Sequence, residues 1–236
     1  MLRLIVLFFL LIHWFPLLAQ TAFSANKITA VQLPKTIKFK GKLEEAWQWK
    51  DKLGDNILIT SLIKPYRANP SKENSDEHTS ELHAFHYIKK DTAYKLLWLL
   101  SDAVKNCPFD ITLEFINGAI SITDLDRDGI AETKVQYKIV CRSDVSPAGM
   151  KLIMHEDTVK YALRGFMWLQ QGPEHEFEIT EKDVNLENLP KPEEEWERYS
   201  QLAGRYETEK NFKKASPVFL SYARKEWLKY VKESFE

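Results

Sequence analysis

Apolar residues along this chain recur mostly at every second position, and turn-forming residues interrupt them at short intervals. That pattern predicts half-buried strands joined as hairpins. Residues 37–39 alternate, and Trp47 and Trp49 are two apart, so a strand points both indoles to one face. Gly54-Asp55-Asn56 reads as a turn ahead of a β-branched strand over 57–63, and the polar stretch 68–80 reads as an exposed hairpin loop. Strands are then predicted over 83–88 and 93–100, around a turn at Lys89-Lys90-Asp91. Residues 109–116 and 119–123 flank Asn117-Gly118, a strong two-residue hairpin signal. Strands over 133–140, 151–155 and 159–163 complete the set, the last two joined at Glu156-Asp157. Close spacing without helical crossovers makes this an antiparallel meander.

The period changes after residue 190. Pro190 and Pro192 precede Glu193-Glu194-Glu195, and acids at a helix start favour its positive end. Trp196, Tyr199, Leu202 and Ala203 then share a helical face, and Gly204 supplies a stop. Phe219, Tyr222, Ala223, Trp227 and Tyr230 mark a second amphipathic helix. The expected fold is α+β: mainly an antiparallel β meander over 27–189, with a C-terminal helical segment over 190–236 packed on it.

Residues 1–20 read differently. Arg3 precedes an apolar run over 4–12, and Leu17-Leu18-Ala19 offers small-residue cleavage chemistry, so the expectation is a signal peptide. A second possible cut follows Ala25. The run is shorter than the ~20 apolar residues a membrane span needs, and no later segment supplies one. The protein is therefore expected to be exported, to the periplasm or the extracellular space. Charges nearly cancel, 33 basic against 34 acidic, which gives no basic field for nucleic acid. In an oxidising compartment the pair Cys107 and Cys141 reads first as a disulfide, with two unlinked buried thiols as the alternative.

The densest chemistry is Asp124-Leu125-Asp126-Arg127-Asp128-Gly129-Ile130-Ala131-Glu132. Carboxylates at Asp124, Asp126 and Asp128 turn onto one point if the chain bends sharply at Gly129. The Ile130 carbonyl and Glu132 then extend an all-oxygen shell, which suits calcium and its six to eight hard donors. Zinc prefers nitrogen or sulfur, which the segment lacks. The alternative is a solvated acidic turn in which Asp124 caps its own backbone.

The loop departs from the EF-hand, since Val135 stands at the twelfth position and the flanks read as strands. With an acid at its ninth position, it resembles the calcium hairpins of integrin-type propeller blades. A wider segment joins this loop to Cys141-Arg142-Ser143-Asp144-Val145-Ser146-Pro147 and Met150-Lys151-Leu152-Ile153-Met154, with Asn106-Cys107-Pro108-Phe109-Asp110 upstream. Over about residues 82–165 it resembles uncharacterised exported bacterial proteins sometimes labelled surface polysaccharide biosynthesis proteins. That resemblance implies a compartment and no catalytic residues.

Other signals have plainer readings. His83 and His86 fall on opposite strand faces, Ser143, Asp144 and His155 lack a nucleophile elbow, and Asp144 and Ser146 suit a turn that Pro147 rigidifies. The resulting expectation is a calcium-stabilised exported module without catalysis, binding a cell-surface glycan or another envelope component. Exposed Trp47, Trp49 or Trp98 would favour sugar stacking. The alternative is an envelope enzyme of surface polysaccharide metabolism, marked by a pocket with two carboxylates at hydrolase distance.

Overall fold

The computed structural model describes residues 23–67, 76–169 and 179–233. The expected signal peptide over 1–20, most of the loop over 68–80 and the side chain of Trp196 lie outside the described residues.

The strands form two meanders rather than one. The first runs β1 (Ala25–Lys27), β2 (Lys42–Asp51), β3 (Gly54–Tyr66), β4 (His78–Lys90) and β5 (Ala93–Cys107), each paired antiparallel with the next. The second contains β6 (Asp110–Phe115), β7 (Ser121–Thr123), β8 (Glu132–Arg142), β9 (Gly149–Glu156) and β10 (Val159–Phe166). A parallel pair, β11 (Trp168–Leu169) with β12 (Lys232–Glu233), ties the chain end to the residues after β10. No helix among the described residues is long and apolar enough to cross a membrane.

Inner faces of the two sheets share one core. Trp49, Leu58, Leu82, Trp98 and Leu100 come from the first sheet, and Leu113, Val135, Tyr137 and Ile153 from the second. The disulfide Cys107–Cys141 joins β5 to β8 across this sandwich, with Cα atoms 5.8 Å apart. Both outer faces are covered as well. Leu33, Ile37 and Phe39 lie against Ile57, Ile59 and Phe85 on the first sheet. The alternating residues 37–39 are therefore an irregular cover, not a strand.

Helix α1 (Glu195–Leu202) and helix α2 (Pro217–Tyr230) follow the second sheet. Phe219, Ala223 and Trp227 of α2 pack with Met150, Leu152, Met154 and Leu163, so the predicted aromatic stripe is core contact. Tyr199 of α1 faces solvent. Gly204 takes a left-handed φ of +79° just past α1, as a helix stop does.

Two turns differ from expectation. The first hairpin turns at Lys52-Leu53, since Asp51 pairs with Gly54, and Asp55 and Asn56 already belong to β3. Asn117-Gly118 makes no hairpin: β6 and β7 both pair with β8, in line with each other. Residues 116–120 loop out between them, burying Ala119 and Ile120, while the Gly118 carbonyl accepts from the Tyr230 hydroxyl at 2.5 Å.

Candidate metal centre

The true hairpin is β7–β8, whose last pair is Thr123 with Glu132, and it encloses the acidic loop. Arg127 and Gly129 both adopt left-handed backbone, with φ of +62° and +86°. Two such residues so close together curl the chain, and glycine does so without steric cost. Side chains fix the curl from inside. Asp126 Oδ1 accepts from the Asp128 N–H at 3.3 Å, Asp128 Oδ1 from the Ile130 N–H at 2.7 Å, and Asp124 Oδ1 from the Gly129 N–H at 3.4 Å.

The first sheet clasps the loop through its β2–β3 turn. The Lys52 N–H donates to the Gly129 carbonyl at 2.9 Å, and the Lys52 ammonium donates to the Asp128 carbonyl. Asp51 Oδ2 accepts from the Ala131 N–H at 3.2 Å and from Trp49 Nε1 at 3.0 Å. Asp51 thus anchors the loop to a core indole.

Carboxylate oxygens of Asp124, Asp126 and Asp128 lie within 4.8 Å of one another, as the alternate spacing predicts. Glu132 sits deeper, and an oxygen of it forms a second group of the same closeness with Asp126 and Glu156. Its own Oε2 accepts from the Leu125 N–H at 2.9 Å and the Thr123 hydroxyl at 3.1 Å. Ile130 is half-buried at the loop's exit.

Burial pushes the Glu132 carboxyl up to about 7, against the lowering pull of its hydrogen bonds, and the nearby Asp126 charge adds to the rise. Glu156 is raised by burial first, then by the charges of Asp126, Asp128 and Asp157. Among the described residues, none of these five acids forms an ion pair with a lysine or arginine. Donors of this kind, all oxygen and mostly charged, fit a hard divalent cation.

Sequence reasoning missed Asp51, Lys52 and Glu156. Glu156 lies 24 positions beyond Glu132 and arrives by strand register, directly opposite it on β9. Its one visible signal was its place beside Asp157 at the β9–β10 turn.

The remaining candidates resolve as follows. His83 lies on the outer face of β4, with Nε2 3.3 Å from Glu81, and His86 lies in the sandwich beside Trp49 and Trp98. Asp144 accepts from the Ser146 N–H and hydroxyl at 3.0 and 2.6 Å, which is the expected turn. Arg142 bonds the Ser146 carbonyl and pairs with Glu233 at 2.8 Å. Trp49 and Trp98 are buried, and Trp47 is half-buried with Lys27 Nζ 5.1 Å from its ring centre. No family model, curated protein or solved structure matches the chain.

Proposed function

We propose that this protein is an exported, calcium-stabilised β-sandwich that serves the cell envelope or surface as a non-catalytic module. The single observation that carries the reading is the convergence of the Asp124, Asp126 and Asp128 carboxylates, none of which forms an ion pair with a lysine or arginine among the described residues. Calcium there is held by these three carboxylates and the Ile130 carbonyl, while Glu132 fastens the loop from below through Leu125 and Thr123. The ion offsets the mutual repulsion of the three carboxylates within the loop.

Export is supported by the apolar leader over 4–12 and by the disulfide between the sheets, a bond that persists in oxidising compartments. Cleavage at Ala19 keeps Phe23 and Ala25, both packed against the core, whereas cleavage after Ala25 removes them. The non-catalytic part rests on the cleft of about 640 Å³ beside β6, whose carboxylates Glu114 and Glu233 are committed to Lys138 and Arg142 at 2.9 and 2.8 Å. Both carboxylates thus already serve ion pairs within the fold. Trp49 and Trp98 are buried, so neither offers the exposed ring that sugar stacking would need.

Fractionation of expressing cells followed by N-terminal sequencing tests export: mature protein beginning at Gln20 outside the cytoplasm is expected. A glycan array with product analysis then tests the module. Binding without turnover supports it, and turnover of a bound glycan overturns it.

A further inference from the structure

We propose a second cation site beneath the loop, formed by Asp126, Glu132 and Glu156 and sharing Asp126 with the first. The proposal rests on the calcium reading of the loop but concerns a different set of donors.

Three observations carry it. A carboxylate oxygen of each residue lies within 4.8 Å of those of the other two, which is the spacing of donors around one ion. Glu132 is only 1% exposed, and its Oε1 has no hydrogen-bond partner while Oε2 has two. A buried carboxylate oxygen without a partner is costly, and this one belongs to a side chain turned toward two further acids. Finally, Glu132 and Glu156 are paired residues on β8 and β9, where like charges directly opposite destabilise a sheet. The remaining side of the group is Asp126, another acid. A hard divalent cation resolves all three at once.

The two sites differ in what they tie together. Asp124, Asp126 and Asp128 belong to one loop, so an ion there organises the loop alone. An ion on Asp126, Glu132 and Glu156 links the loop to the β9–β10 hairpin, next to Tyr161, which packs on Phe212 and Phe219 at centroid distances of 5.5 and 5.6 Å. The second site therefore connects the loop to the helical layer.

Calcium alone is the probe, counted per chain by native mass spectrometry and by calorimetry on the mature protein. Two ions are expected, falling to one in Glu156→Gln and to one in Asp124→Asn. Circular dichroism of each variant confirms its fold, and Glu156→Asp, which keeps the charge, retains two ions or a weakened second one. One ion that Glu156→Gln leaves in place overturns the second site and leaves the loop reading standing. One ion lost in Glu156→Gln and kept in Asp124→Asn supports the second site and removes the loop reading. A single ion lost in both variants merges the donors into one site and overturns the proposal, and no ion overturns both.

Discussion

Trp98 and His155 stack face to face between the two sheets, their ring centres 4.0 Å apart and their planes 11° from parallel. His86 meets the same indole edge-on at 5.4 Å and lies 4.9 Å from Trp49, so four rings run through the sandwich. His86 Nε2 bonds Asn56 Oδ1 at 3.0 Å, and burial disfavours the charged form of both histidines.

Burial lowers His86 and His155 to about 3, with Lys160 and His86 itself contributing to His155. The unfolded chain binds these protons near 6.5 and the folded chain does not, so their contribution is intact above that pH and falls with acidification toward about 3. His155→Phe keeps a flat ring on Trp98 and removes one of the two titrations. Urea unfolding at several pH values should show the wild-type loss between pH ~6 and ~4 reduced by about 1.4 kcal/mol per pH unit in the variant. An unchanged slope contradicts a buried neutral His155.

The disulfide closes a separation of 34 residues and links β5 to β8. Replacing both cysteines by serine should lower stability by roughly 3–4 kcal/mol in the chain-entropy account. Chemical denaturation of the oxidised and double-variant proteins measures it. Intact mass should rise by two hydrogen atoms on reduction of the wild type and by none in the variant.

Lys134 is 1% exposed under α2, where its ammonium pairs with Glu226 and lies 5.1 Å from the centre of the Tyr230 ring. Glu226→Ala leaves a buried charge and should cost about 3 kcal/mol or more. Lys134→Met with Glu226→Leu removes both charges and should return to within ~1 kcal/mol of wild type. Thermal melts of the single and double variants decide this. A single variant as stable as the double shows that the lysine reaches water.

Lys134 also shows where sequence patterning stops. The alternation over 133–140 correctly marked a strand, and Val135 and Tyr137 do face the sandwich. It also implied a wet opposite face, yet Lys134 and Gln136 are buried there because helices cover it. Period two reports which residues share a face, not what covers that face. Asn117-Gly118 misled for a related reason: its local turn preference was real, but β8 offered both flanking segments a partner. A meander of this spacing serves one sheet or two equally, so the sandwich was not legible.

The acidic loop was legible because its donors lie within nine residues and its bend needs only Gly129 and Arg127. The clasp by Asp51 and Lys52 was not, since it joins positions about eighty apart through packing of two sheets. Glu156 required the register of β8 with β9, which no local pattern encodes.

Calcium-dependent melting of the mature protein tests the central claim most directly. Calcium at about a hundred times its dissociation constant should stabilise the folded state by roughly 2.7 kcal/mol, raising Tm by about 5–10 °C, and chelator should reverse the shift. An identical Tm with calcium and with chelator, together with no heat of calcium binding by calorimetry, would mean that the loop is an acidic turn held by its own backbone.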